Sequence, residues 1–400
     1  MKLTATLLLA LAGLALTALP AQAGPKPPVP TWQAVVPPAT VTGVDGQDYH
    51  PSCTALPGTD PTFRFWTRQN GSNRTVVFFE GGGACWDNLT CSFPIGSGLP
   101  PPAPQFYVSS ISPATDPSTF NGLFRTDRAD NPLRDWNIVY IPYCSGDIHA
   151  GSGSRMYANA GNPLLPPQFT LQHRGFDNFM AVLAWMKTNM KDPSQILVTG
   201  PSAGGYGATI NFPWIVRSYA TKRVSLLADA SQGITTPAFD VGNPGRNSWN
   251  PQLAPWVFGP DPSLVPGPQV MRAVAAAHPR HKLAQFTTTV DAVQVGFYGV
   301  MKQYYPPGGS CPNPVADWNQ QMLAALAADS QALPNFRYYV AAGDYHTLLR
   351  SPLFYDEATN GEPFAAWLGQ MLKNEGGTNG VGGKWFNVAC PTCLTPLPCQ

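Results

Sequence analysis

Charge is scarce in this sequence: Asp, Glu, Lys and Arg make up 12 % of its 400 residues, about half the usual share in a soluble domain. The net charge is +1 and no run of Lys or Arg occurs, so the basic stripe that nucleic-acid binding requires is missing. After the first 23 residues no apolar run is long enough to cross a bilayer, and no membrane insertion of the mature chain is expected. Histidine is limited to six residues, and the one Cys-x-x-Cys, at Cys390 and Cys393, has no second pair and no nearby histidine. A zinc site is therefore not expected, nor any other metal. Internal repeats and an obvious interdomain linker are also missing.

The amino-terminal residues point to export. Met1-Lys2 is followed by an almost unbroken Leu/Ala run from Leu7 to Leu19 and by Ala21-Gln22-Ala23. A short basic start, an apolar run too short to span and an Ala-x-Ala end make a secretory signal over residues 1–23. No cysteine stands at the cleavage point, which argues against a lipid anchor. The eight cysteines, Cys53, Cys85, Cys91, Cys144, Cys311, Cys390, Cys393 and Cys399, are an even set in an exported chain and suggest disulfides. The destination is the periplasm or the medium. Proline (44) and glycine (38) are abundant and imply long ordered loops, while 44 % hydrophobic residues argue against disorder.

Residues 24–38 are proline-rich and read as an extended lead-in. Beyond them, apolar β-type runs recur at 63–67, 75–79, 136–142, 195–199, 224–228, 283–290 and 336–341. Several are continuous rather than alternating, as in strands covered on both faces. Helical spacing falls between them at 176–190, 203–219, 315–328 and 364–373. This alternation predicts an α/β fold, a doubly wound and mostly parallel sheet with long Pro/Gly-rich loops. One domain over residues 24–400 is expected, with 240–268 inserted as a loop region over the site.

Within that pattern Gly200-Pro201-Ser202-Ala203-Gly204 lies between an apolar strand and a helix. Gly-x-Ser-x-Gly in that context is a nucleophile elbow, which lifts a serine Oγ clear of the backbone. A second strand ends in Glu80-Gly81-Gly82-Gly83, whose glycines can bring N–H groups close to an oxyanion; the residue after the nucleophile, Ala203, supplies another. In this fold the order along the chain is Ser, acid, His. After Ser202 the histidines are His278, His281 and His346. His278 and His281 flank Pro279-Arg280 ahead of a strand, whereas His346 follows the last strand, as a base should. Asp291, at the end of a strand, is the candidate acid; Asp229 rivals it on pattern, and Asp344 lies two residues from His346.

Taken in order, Glu80-Gly81-Gly82-Gly83-Ala84-Cys85 with Cys91, Ile141-Pro142-Tyr143-Cys144-Ser145-Gly146-Asp147, Gly200-Pro201-Ser202-Ala203-Gly204-Gly205, Leu227-Ala228-Asp229, Asp291-x-x-Gln294 and His346 resemble the pectin acetylesterase/Notum family of serine carboxylesterases, in a secreted bacterial-type form. The resemblance runs from about Cys53 to about Leu349. It implies an α/β-hydrolase-like fold and assigns nucleophile, acid and base to Ser202, Asp291 and His346. The oxyanion donors fall on Gly82, Gly83 and Ala203. It also implies that Cys85 pairs with Cys91 and Cys53 with Cys144; the last four cysteines have no counterpart. Plant members tend to have Trp where Ala84 stands, and Notum has Trp-Tyr where Gly83-Ala84 stand. A large wall of the acyl site is therefore missing.

The expected activity is hydrolysis of acetyl or other short-chain esters of pectin or a related polysaccharide, with no cofactor and an ester substrate as the partner. The oligomeric state is left open. A hydrolase of polyester or lipid esters is the alternative within enzymes. A chymotrypsin- or subtilisin-type protease would need its histidine before the serine, at His50, His149 or His173. A carbohydrate-binding relative would keep the fold without the chemistry.

Overall fold

The computed structural model describes residues 31–261, 265–304, 311–373 and 385–399. The expected export signal at 1–23 and the first part of the lead-in lie outside the described residues. Among the described residues nine strands form one sheet: β1 Gln33–Val35, β2 Phe65–Arg68, β3 Arg74–Phe79, β4 Asn137–Ile141, β5 Gln195–Pro201, β6 Arg223–Asp229, β7 Lys282–Thr288, β8 Phe336–Ala341 and β9 Val388–Ala389. Their order across the sheet is β1-β2-β4-β3-β5-β6-β7-β8-β9. From β4 to β9 every neighbour is parallel, while β2 runs antiparallel to both β4 and β1.

The parallel strands are those with continuous apolar runs. Every residue of β4 and β5 is buried, because helices cover both faces and no polar side is needed. The longer helices are α1 Gly175–Asn189, α2 Ala203–Ser218, α3 Val270–Ala277, α4 Ala292–Tyr304, α5 Pro314–Ala332 and α6 Phe364–Leu372. Helix α2 packs on α1 and α3, and α4 packs on α5. The start of α5 is fixed by local chemistry: Asn313 accepts from the N–H groups of Val315 and Ala316, and Pro314 occupies the first turn, where no intrahelical donor is required. None of the helices described is long and apolar enough to cross a membrane.

Chain order reverses at β3. The chain passes from β3 to β4 on one side, then enters β5 on the other side of β3 and continues outward through β6, β7 and β8. In open α/β sheets the crevice at the carboxyl ends of two such strands is where ligands bind. Here those ends carry Glu80-Gly81-Gly82-Gly83 and Ser202. An antiparallel hairpin, Gly153–Ala158 with Gln168–His173, and the first part of the inserted segment lie beside this end. The insert is built of short turns: Pro237–Val241 and Arg246–Trp249 lie at this end, whereas Pro255–Phe258 runs away from it and sets Trp256 against Trp214 toward the far end of α2. It is tied to the loop after β3 by Trp249 Nε1 donating to Cys85 O at 2.6 Å and Ser248 Oγ donating to Trp86 O at 2.8 Å.

All eight cysteines are paired: Cys53–Cys144, Cys85–Cys91, Cys311–Cys399 and Cys390–Cys393. The Cys390-x-x-Cys393 sulfurs are therefore bonded to each other and offer no thiolate to a metal. Cys53–Cys144 closes the longest loop, 91 residues in sequence separation, and joins the segment before β2 to the end of β4. In the chain-entropy picture a loop of that size is worth about 4.6 kcal/mol. Replacing Cys53 and Cys144 together by Ala should lower unfolding free energy by about 2–5 kcal/mol, read as a lower denaturant midpoint. A midpoint equal to that of the parent protein would contradict this role.

Candidate active site

Ser202 sits between the end of β5 and the first turn of α2 with φ 57° and ψ −128°. A non-glycine residue rarely adopts this conformation, and it is maintained by its surroundings. Two constraints hold it. Ser202 N–H donates to Asp229 O at 2.8 Å, and Ser202 O accepts from Gly205 N–H at 2.9 Å. The turn also lies directly against the end of β3: a Cβ at Gly204 would stand 2.0 Å from Phe79 O, and one at Gly200 would stand 2.3 Å from the same atom. Only glycine permits that approach.

This contact brings the loop after β3 to the serine. A Cβ at Gly81 would lie 3.1 Å from Ser202 Cβ. The peptide groups of the loop are held individually. Gly81 N–H donates to Glu80 Oε1 at 2.9 Å, His149 Nε2 lies 2.9 Å from Glu80 O, and Val108 N–H donates to Gly82 O at 2.9 Å. Ala84 and Cys85 N–H groups donate to Phe106 O and Gly146 O, both at 2.9 Å. Gly83 has φ +72°, and a Cβ there would meet Phe106 O at 1.9 Å. Among the described residues the N–H groups of Gly82, Gly83 and Ala203 have no hydrogen-bond partner. The first-turn N–H of a helix is such an orphan by geometry. The Cys85–Cys91 disulfide closes the next turn of this loop.

Burial keeps His149 neutral, with its imidazole pushed down to about 4, so its Nε2 carries a proton and donates to Glu80 O. Asp147, fully buried, accepts from Ser145 Oγ and from the N–H groups of His149, Gly151 and Gly175. Burial raises its carboxyl to about 6 despite these bonds. His173 spans Ser145 O and Tyr157 OH. His149 and His173 are thus internal braces rather than partners of Ser202. The grouping Cys85, Cys91 and His173 has its sulfurs in a disulfide and both imidazole nitrogens engaged, so it lacks a donor set for a metal.

The three candidate acids separate clearly. Asp291 is 0 % exposed, and its two oxygens lie 2.8 and 2.9 Å from His346 Nδ1. Val293 and Gln294 N–H groups donate to Oδ1, and Gln294 Nε2 donates to Oδ2 at 2.9 Å. His346 Nδ1–H therefore donates to the carboxylate, which leaves Nε2 as an acceptor; Nε2 is buried without a hydrogen-bond partner among the described residues. Asp344 is exposed, and its backbone carbonyl, not its side chain, serves the site by accepting from Ala292 N–H at 2.9 Å. Asp229 is also 0 % exposed. Its Oδ2 accepts from Leu348 and Leu349 N–H, each at 2.9 Å, so it anchors the loop of His346 while its carbonyl anchors Ser202. Burial pushes its carboxyl up to about 7, with Asp291 adding to the rise and the two N–H groups opposing it.

Two spaces meet at Ser202 and His346. One is an apolar cavity of about 80 Å³ lined by Ala84, Trp86, Ile234, Phe239, Trp249 and Phe297 among others. The other is an open groove of about 350 Å³ along Glu80, Gly82, Gln105, Phe106 and Thr347. The first suits an apolar group and the second a bulky polar one. Sequence reasoning missed the polar network behind the site: Gln294 Oε1 accepts from Gln232 N–H at 2.9 Å and Gln294 Nε2 donates to Gln232 Oε1 at 2.8 Å. Gln294 alone was visible, through its spacing from Asp291.

The pectinacetylesterase family profile matches residues 41–249, just over half of the chain. The matched segment includes the Gly81-Gly82-Gly83 loop and Ser202 and ends before Asp291 and His346. Palmitoleoyl-protein carboxylesterase notum2 of Xenopus laevis is 28 % identical over 146 residues, 35 % of this chain and 26 % of that protein. Pectin acetylesterase 4 of Arabidopsis thaliana is 27 % identical over 198 residues, 48 % of this chain and 44 % of that protein. Palmitoleoyl-protein carboxylesterase NOTUM of Schmidtea mediterranea is 25 % identical over 206 residues, 46 % and 36 % respectively. The matched part of the chain spans less than half the length of each of these curated relatives.

Asp291→Asn should fold and lose about four powers of ten in ester turnover, the scale seen when a related triad loses its orienting carboxylate. Asp344→Asn should keep most activity, and Asp229→Asn should fall between. Activity in Asp291→Asn with none in Asp229→Asn would reverse the assignment. A second readout follows from the raised carboxyl of Asp229. Unfolded, an Asp titrates near about 3.9, so between about 4 and 7 the folded state holds a proton that the unfolded state has lost. The resulting stability is complete below about 4 and is lost as pH rises through about 7. Asp229→Asn, still offering one oxygen to Leu348 and Leu349, should flatten the fall of denaturant midpoint across that window. Asp147 keeps a smaller slope. An unchanged slope would mean that Asp229 is ionised throughout.

Proposed function

The chain belongs to the pectinacetylesterase family, and on that footing we propose that it is an exported serine carboxylesterase acting on acetyl or other short-chain esters of pectin or a related polysaccharide. The observation that carries the reading is the set of unpartnered groups around Ser202: the N–H groups of Gly82, Gly83 and Ala203 on one side, and His346 Nε2 on the other. Donors left without acceptors in a preorganised loop match an oxyanion that exists only during reaction. An acceptor nitrogen without a donor matches a base awaiting the serine proton.

In the proposed cycle His346 Nε2 takes the proton of Ser202 Oγ as Oγ attacks the ester carbonyl carbon. The carbonyl oxygen becomes an oxyanion held by the three N–H groups, each worth roughly 3 kcal/mol of barrier. The imidazolium, paired with Asp291, gives its proton to the departing alcohol, and water repeats the sequence on the acyl-enzyme. No metal or organic cofactor enters these steps. The open groove suits a bulky saccharide alcohol. Export is supported by the signal-like residues 1–23 and by four disulfides, which persist in oxidising compartments.

A second reading concerns the acyl group. The cavity beside Ser202 has about 80 Å³ of space and an apolar wall, room for several atoms beyond the methyl of an acetyl group. Its lining favours a longer apolar acyl chain, as in a lipid or polyester ester. Ala84, which lines this cavity, is the position where a larger residue would fill it.

Ser202→Ala should fold normally, lose several powers of ten in turnover and no longer react with a fluorophosphonate probe. Retention of more than about a tenth of the activity would end the mechanism. A series of p-nitrophenyl esters, with acetate release from acetylated pectin, separates the two acyl readings. Turnover highest at acetyl and butyryl, with acetate released from pectin, supports the first. A maximum at hexanoyl or longer, with no acetate released, supports the second, and Ala84→Trp should then cut kcat/KM for the long ester about tenfold, about 1.4 kcal/mol, while sparing acetyl.

A further inference from the structure

Far from Ser202, at the carboxyl end of α2, lies a second cleft of about 390 Å³. Helix α2 has 16 residues, so its far end is about 24 Å from the nucleophile. The cleft is lined by Arg217, Trp256, His278 and Arg280, with Pro213 and His281. Three properties set it apart from an ordinary surface recess. Trp256 is 40 % exposed, although it packs edge-on to Trp214 at 4.7 Å. The Arg217 guanidinium lies 4.5 Å from the centre of its ring. Finally, among the described residues no carboxylate lines the cleft, and neither Arg217 nor Arg280 forms an ion pair.

Guanidinium groups without carboxylate partners are suited to a planar carboxylate, which Arg engages through two parallel N–H bonds. An exposed indole offers a flat apolar face of the size of a pyranose ring. A second cation–indole pairing, Lys282 and Arg337 at 5.4 and 5.5 Å from the ring centre of Trp385, is buried against Trp367 and takes no part in the cleft. These cations come from the starts of adjacent strands and from a helix end, so no basic run marks them in the sequence.

We propose that this cleft binds the uronate residues of an acidic polysaccharide, holding the polymer at a distance while its esters are presented to Ser202. The choice of uronate among anionic polymers rests on the polysaccharide reading above; the cation–indole chemistry does not. Trp256 carries the sugar ring, and Arg217 and Arg280 the carboxylate.

The test uses de-esterified oligogalacturonate, so that binding is read without turnover, measured by calorimetry on the wild-type protein and on Trp256→Ala, Arg280→Ala and Arg280→Lys. The expected result is salt-sensitive binding, weakened at least tenfold by Trp256→Ala and Arg280→Ala and partly restored by Arg280→Lys. Turnover of p-nitrophenyl acetate should be unchanged in all three variants, while KM for acetylated pectin rises several-fold in the first two. No binding by the wild-type protein, or equal binding by the variants, overturns the proposal. So does equal affinity for a neutral galactan, or for a single-stranded oligonucleotide of matched charge, which would make the cleft a general surface for polymers or polyanions. A protein that binds oligogalacturonate here yet releases no acetate from pectin supports this site and removes the hydrolytic reading instead.

Discussion

The contact between the Phe79 carbonyl and the glycines on either side of Ser202 is the constraint on which the site depends. Strands β3 and β5 are neighbours in the sheet, but adjacency alone leaves their loops free to diverge. The 2.0 Å separation between Phe79 O and the position of a Cβ at Gly204 shows that backbone, not side chain, fills the gap. With the turn pressed against the end of β3, the peptide groups of Gly82 and Gly83 come next to the serine. Everything else around the site works to keep those two backbones in register: His149 on Glu80 O, Val108 on Gly82 O, and Asp229 O on Ser202 N–H.

Asp229 ties two loops of the site together. One residue fixes the serine turn through its carbonyl and the histidine loop through its side chain. The loops of Asp291 and His346 are stitched separately, through Ala292 N–H to Asp344 O and Val290 N–H to Gly343 O. The site is therefore assembled from the carboxyl ends of β3, β5, β6, β7 and β8, each held to at least one neighbour by backbone bonds. Rigidity of that kind suits groups that must be aligned before a substrate arrives.

Much of this was legible in the sequence because the parallel strands are buried on both faces. The continuous apolar runs from β3 to β8 mark their own positions, and the serine turn, the glycine loop and the histidine after the last strand follow from chain order. What was not legible had weaker local signals. Strands β1 and β9 are three and two residues long, and the hairpin Gly153–Ala158 has a mostly exposed pattern. The side chain of Asp229 could not be distinguished from an acid by spacing, because its role depends on which N–H groups approach it. The pairing of Cys311 with Cys399 has no counterpart in local pattern, and the cations near Trp256 and Trp385 are scattered along the chain.

The two spaces on either side of Ser202 imply an order of events. The apolar cavity is walled by Trp86, Phe239 and Trp249 and the groove is open. In the proposed cycle an alcohol lying in the groove stands between bulk water and the acyl carbon. Water that reaches the acyl-enzyme along the path the alcohol has vacated uses the same door for entry as the first product used for departure. A large alcohol that lingers there protects the intermediate, and a second alcohol entering in place of water would receive the acyl group itself.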